Sequence, residues 1–216
     1  AIAMFYLARK LWKNDFAALV SAILYVYAPY RAVDVWVRGA LPEALSFVLF
    51  PLIILAIESK SFFGFAFLVA ALILTHNLSA LMFLPVIAAW IIYRRFWKAI
   101  PAGVVALFLS AFYLLPVIFE SKFINLQSTI QGYFDFRGHF AGVYQLLLSR
   151  YWGYGASLFG PDDRLSLAVG YLQWALPLVI FAFVLLKRKF SENVNFLLFF
   201  FLGWFFLFLT HNKSTL

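Results

Sequence analysis

The stretch Asn195-Phe-Leu-Leu-Phe-Phe-Phe-Leu-Gly-Trp-Phe-Phe-Leu-Phe-Leu-Thr210 decides the fold class. It holds no charged residue and presents no polar face, so a helix built from it has lipid rather than water for a solvent. Working outward, runs of the same kind recur. They cover Ala1 to Ala8, Phe16 to Tyr30, Glu43 to Ile57, Phe62 to Leu74, Leu78 to Tyr93, Ala99 to about Ile118 and about Leu165 to Leu186. Several fall short of the roughly 20 residues that span hydrocarbon, so their ends must borrow flanking residues or sit inside a bundle.

The composition agrees. The chain is 65% hydrophobic, 21% aromatic and 12% charged, against roughly 45–50% apolar and 25% charged for a soluble domain. No water-soluble fold of 216 residues hides that much apolar surface. The expected fold is therefore all-α, a polytopic transmembrane bundle of about seven hydrophobic helices. Residues 1–216 read as a single transmembrane domain truncated at both ends, with an extracytoplasmic loop region at 119–164. A chain that opens at Ala1 inside an apolar run is expected to be a segment of a longer protein.

The formal charge of +8 falls in short clusters between apolar runs, the pattern of cytoplasmic loops rather than of a nucleic-acid surface. Placing Arg9/Lys10/Lys13, Lys60, Arg94/Arg95/Lys98 and Lys187/Arg188/Lys189 in the cytoplasm puts every alternate connection outside. Asp34, Glu43, Glu120, Asp135, Asp162 and Asp163 then lie at or beyond the outer face with His76, His139 and His211. Six of the nine acidic residues and every histidine thus share one side.

Three places on that side carry candidate chemistry. The loop Tyr30-Arg-Ala-Val-Asp-Val-Trp-Val-Arg-Gly-Ala-Leu-Pro-Glu43 joins two arginines, two carboxylates and two aromatic residues. Arg31 and Arg38 suit phosphate oxygens, whereas Asp34 or Glu43 suits a general base or a cation ligand. Pro42 starts a helix that holds Glu43 in its first turn, and pairing of Glu43 with Arg38 at a helix end is the competing structural reading. His76, in Thr75-His76-Asn77, either exchanges a proton beside a cavity or caps the adjoining helix ends. The segment with Gly132-Tyr-Phe-Asp-Phe-Arg-Gly-His139 and Tyr151-Trp-Gly-Tyr-Gly155 carries ring faces and polar groups suited to a sugar, with an interfacial aromatic belt as the alternative. Across the three places, Arg31, Arg38, His76, Tyr30, His139 and Trp152 are the substrate-binding candidates, and Glu43 and Asp34 the catalytic ones. Asp162-Asp163, in a Gly-Pro turn, is no metal motif by itself.

Phosphate-binding loops, dinucleotide fingerprints, zinc-protease helices and serine-hydrolase elbows are all missing from the sequence. Zero cysteines exclude disulfides and thiolate metal sites. No metal ligands are assigned, and a divalent cation is left open. Charges inside the apolar runs are scarce, which disfavours an ion-coupled pump.

At Tyr27-Ala-Pro-Tyr-Arg31, Val37-Arg-Gly-Ala-Leu-Pro-Glu-Ala-Leu45, Leu74-Thr-His-Asn-Leu-Ser-Ala-Leu81 and Trp152-Gly-Tyr-Gly-Ala-Ser157, the chain resembles prokaryotic membrane proteins catalogued as the 6-pyruvoyl-tetrahydropterin synthase-related membrane domain. That name implies no pterin chemistry here. The group is itself similar to the GT-C class of polytopic glycosyltransferases, which take a sugar from a polyprenyl-phosphate carrier at the outer face. The resemblance implies a plasma-membrane protein in which Glu43 matches the class's second acidic position, with Arg31 or Arg38 meeting the carrier phosphate. The class's first outer loop would precede Ala1.

Two functions are therefore expected to compete. One is transfer of a lipid-linked sugar to an extracytoplasmic acceptor, with Glu43 or Asp34 taking the acceptor's proton. The other is a non-catalytic transporter or assembly subunit for lipid-linked glycans, binding the same carrier. In a third reading Asp34, Arg38 and Glu43 only lock helix ends together. Expected partners are the bilayer and a polyprenyl-phosphate-linked sugar, with no nucleic acid.

Overall fold

A computed structural model describes residues 1–123, 125, 131–157 and 164–215. Asp162 and Asp163 lie outside the described residues. The described chain is helical, and its one extended feature is an isolated antiparallel bridge between Tyr154 and Leu165. The helices are α1 (Ile2–Trp12), α2 (Asp15–Val26), α3 (Pro29–Ala32), α4 (Leu41–Glu58), α5 (Phe62–Thr75), α6 (Asn77–Arg94), α7 (Ala99–Leu109), α8 (Ala111–Glu120), α9 (Tyr171–Leu186) and α10 (Val194–Leu209). Five-residue π-helical turns occupy Val33–Val37 and Tyr144–Leu148.

Three stretches are long and apolar enough to cross a membrane: Leu41–Glu58, Asn77–Arg94 and Ser191–Leu209. The number rises to five if the broken pairs 15–26 with 29–37 and 99–109 with 111–123 each count as one span. Phe62–Thr75 and Tyr171–Leu186 are shorter apolar helices. The protein is a helical membrane protein.

The chain forms two compact units. The first comprises Ala1–Val26 and Ala40–Leu126. Its core lies where α4 packs on α1, α5 and α6, and where α5 packs on α7. Ile53, Ile54, Ile57, Leu72 and Trp90 are fully or almost fully buried there. Pro51 has no N–H to give the Phe47 carbonyl one turn earlier in α4, and the Tyr25 hydroxyl donates to that carbonyl at 2.7 Å. The proline gap thereby ties α2 to α4.

At the far end of α4, Glu58 accepts a hydrogen bond from the Trp90 indole at 2.7 Å and an ion-pair contact from the Arg94 Nε. The Arg94 guanidinium also stands 4.7 Å from the centre of the Tyr93 ring. An otherwise costly buried carboxylate is thus satisfied, and it fixes the ends of α4 and α6 together. The next turns carry cations in an unusual role. Lys13, Lys60, Arg95 and, in the second unit, Arg188 adopt φ between 50° and 52°, the left-handed position that commonly ends a helix with glycine. Placed there, each positive side chain meets the negative end of the helix dipole.

Between α7 and α8 the axis bends by 72° at Ser110. Its hydroxyl is buried without a hydrogen-bond partner.

The second unit comprises Tyr27–Gly39 and Gln127–Leu216. Phe181 of α9 stacks on Phe200 of α10, with ring centres 4.4 Å apart. The irregular segment before α9 is tied down through its backbone. The Trp174 indole donates to the Leu147 carbonyl at 3.0 Å, the Tyr171 hydroxyl to the Leu148 carbonyl at 2.7 Å, and the Ala141 amide to the Thr210 carbonyl at 2.9 Å. Carbonyls around the second π turn, where α-helical bonding is broken, are thereby satisfied.

Candidate functional site

The first π turn positions the anchor of the site. Asp34 is completely buried, and its Oδ1 accepts from Arg38 Nη1 at 2.9 Å, one helical step along the chain. The same Nη1 donates to the Tyr30 hydroxyl at 2.9 Å. Arg38 is held by two partners yet keeps 39% of its side chain exposed, so it is an oriented cation rather than a mobile one.

Arg38 and Val37 line a cavity of about 660 Å³ with Tyr133, Phe136, His139 and Ser157. The His139 Nε2 faces the Tyr133 carbonyl oxygen, an acceptor only, so this nitrogen carries the proton. In the neutral ring, Nδ1 is then the basic nitrogen, and it meets the Ser157 hydroxyl at 3.0 Å. The arrangement can accept a proton from a hydroxyl while a guanidinium in the same cavity holds an anion.

The neighbouring charged pair is spent locally. Asp135 accepts from the Arg137 side chain and backbone N–H, each at 3.0 Å. The Arg137 side chain first, and its N–H second, hold the Asp135 carboxyl below its ordinary value, while the guanidinium is pushed up in turn.

The other sequence candidates fall as follows. Tyr30 supports Arg38, as above. Arg31 lies in α3, half-buried, one residue from Tyr30. Glu43 is the third residue of α4, half-buried in its first turn and in the first unit, as the Pro42 start leads one to expect. His76 is the N-cap of α6, where Nδ1 accepts the Ser79 amide at 3.3 Å and meets the Ser79 hydroxyl at 2.7 Å. Capping is therefore the role its contacts support. Trp152 is exposed and packs edge-on against Tyr154, with ring centres 6.3 Å apart.

The structure thus brings Arg38 and His139 to one cavity, and adds Ser157 and Tyr133, which fall inside the quoted stretches 152–157 and 132–139 but are not among the site residues read from the sequence. The Trp152-Gly-Tyr-Gly155 motif has a physical reason of its own. A Cβ on Gly153 would sit 2.3 Å from the Arg164 carbonyl oxygen, and one on Gly155 would sit 2.3 Å from the Arg164 Cβ. Only glycine allows the Gly155 amide to reach the Arg164 carbonyl at 2.9 Å. Among the described residues, no group of three His, Asp or Glu side chains converges to hold a metal ion. No family model, curated protein or solved structure matches this chain.

Proposed function

We propose that this chain is part of a GT-C-like membrane glycosyltransferase that moves a sugar from a polyprenyl-phosphate carrier to an extracytoplasmic acceptor. The observation that carries the reading is the cavity in which Arg38, oriented by buried Asp34, meets His139, Ser157 and aromatic rings. Arginine suits the carrier phosphate, and ring faces suit a sugar. Seven spans result if the three long helices, the two broken pairs and the two shorter apolar helices all cross the bilayer. The positive-inside rule then sets the lysine and arginine turns in the cytoplasm of a prokaryotic cell and the cavity outside.

In this mechanism the acceptor oxygen attacks the anomeric carbon. The bond from that carbon to the phosphate oxygen breaks, and its electron pair leaves with the phosphate. Arg38 neutralises the departing phosphate, Asp34 positions Arg38, and His139, in the same cavity, takes the acceptor's proton. A divalent cation is an optional assistant to the phosphate.

The test is transfer of labelled sugar from polyprenyl-phosphate donors by membranes holding the full-length protein, with variants matched for folded level. Wild type is expected to transfer, and Arg38→Ala to lose about 100-fold or more. Loss in His139→Gln identifies the base, whereas full activity in that variant removes His139 from the mechanism. No transfer by wild type across a broad donor panel would reject catalysis in favour of a carrier-binding transporter or assembly subunit.

A further inference from the structure

The second unit contains another cavity, of about 810 Å³, whose lining includes Tyr144, Ser149, Arg150, Tyr151, Arg164 and Ser166. It holds two guanidinium groups, and no carboxylate stands among its described lining residues. We propose that it binds a phosphorylated sugar, with Arg150 and Arg164 on the phosphate and Tyr144 and Tyr151 against the sugar ring.

Arg150 is set in place before any ligand arrives. Its Nε donates to the Tyr171 hydroxyl at 3.3 Å, and its guanidinium carbon stands 5.8 Å from the centre of that ring. Tyr171 is fixed in turn by donating to the Leu148 carbonyl. Because these contacts engage Nε, the two terminal amino groups remain to form the fork that suits phosphate oxygens. The backbone of Arg164 is held from both sides, its carbonyl accepting from the Gly155 amide at 2.9 Å and its amide donating to the Ala156 carbonyl at 3.2 Å.

Two guanidinium groups lining one cavity suit an anion of two or more oxygens, which both can meet. The tyrosines add what phosphate alone does not need. Tyr144 and Tyr151 are 68% and 53% exposed at the cavity, so their faces are open to a ring that carries both apolar C–H groups and hydroxyls. The volume lies within the roughly 300–1,000 Å³ range of small-molecule sites. This inference does not rest on the transfer reaction and concerns a different cavity from the one that Arg38 lines.

The experiment is calorimetric titration of the full-length protein, purified in a neutral detergent at low salt, with glucose 1-phosphate, inorganic phosphate and glucose. Glucose 1-phosphate should bind saturably, and more tightly than inorganic phosphate or glucose. Arg150→Ala and Arg164→Ala should each weaken it by about tenfold or more. Arg150→Lys, which keeps the charge but loses the fork, should also bind more weakly at unchanged helix content. Lys122→Ala, which lies outside the lining of either cavity, should bind like wild type. The proposal is overturned by absence of saturable binding, by equal affinity for inorganic phosphate, or by binding that survives loss of both Arg150 and Arg164. Sugar transfer can fail while this binding persists, so the two readings stand or fall separately.

Discussion

The two units use their polar side chains for opposite ends. In the first, polar groups close the fold on itself: Glu58 satisfies Trp90 and Arg94, Tyr25 fills the carbonyl that Pro51 leaves open, and His76 caps α6. In the second, Arg38, Arg150 and Arg164 line cavities while backbone bonds and tyrosines hold them in place. A membrane protein satisfies buried polar groups wherever lipid surrounds them. It can leave cations facing outward only where an irregular segment makes room for water or a ligand. The difference puts both of these cavities in the second unit and the polar locks named here in the first.

Breaking the first unit's closure should give the largest effect on stability. Glu58→Ala leaves Arg94 and the buried Trp90 indole without their shared acceptor and is expected to cost about 3–5 kcal/mol. Unfolding in mixed detergent micelles, followed by loss of helical dichroism, measures this. An unchanged midpoint would show that the lock contributes nothing. Glucose 1-phosphate binding should survive in whatever protein stays folded.

A smaller effect is expected from adding one methyl group to each unit. Gly155→Ala forces a Cβ against Arg164 and should cost about 1–3 kcal/mol, read as faster exchange of the amide proton at position 155. Gly103→Ala in α7 meets nothing within 4 Å and should stabilise by up to about 1 kcal/mol through helix propensity. Equal responses at the two sites would erase the distinction between the units.

The smallest effect concerns acid. Because Arg137 lowers the Asp135 carboxyl in the folded chain, the unfolded chain binds the proton more readily, and the pairing stabilises the fold above the ordinary value of 3.8. That contribution is lost as pH falls through the lowered folded value. Amide exchange across residues 135–139, corrected for its intrinsic acid dependence, should speed up in that window in wild type, and Asp135→Asn should remove the dependence.

Much of the helical layout is legible in the sequence because unbroken apolar runs admit no other solvent than lipid. Leu41–Glu58, Phe62–Thr75, Asn77–Arg94 and Val194–Leu209 lie within two residues of the runs that announce them. The breaks are harder. Ala99 to Ile118 reads as one run, yet it bends at Ser110, where neither a proline nor a glycine marks the corner. Leu165 to Leu186 also reads as one run, but α9 begins only at Tyr171, after Leu165 has paired with Tyr154 and Gly170 has turned with φ of 104°. The segment from Arg31 to Pro42 reads as a polar connection, yet only residues 38–40 of it are outside a helix, and Val33 and Asp34 are buried.

The site was legible only in its parts. Arg38 and His139 each stand out by residue type and local company, but apolar periodicity contains no information on which distant segments meet. Ser157 matters only through the imidazole facing it, and Arg150 and Arg164 only through a shared cavity. His76 stands out as strongly as His139, yet its ring is spent on a helix end.

The bridge between Tyr154 and Leu165 separates the two cavities, since Gly155 and Leu165 line one while Arg164 and Leu165 line the other. Its close approach tolerates a hydrogen atom and nothing larger at Gly153 and Gly155. Every amino-acid substitution at either glycine introduces a Cβ, so replacement of the residue at this wall has no neutral route. A library randomised at these two positions, and selected for whichever function the cavities serve, would therefore return the parental glycines.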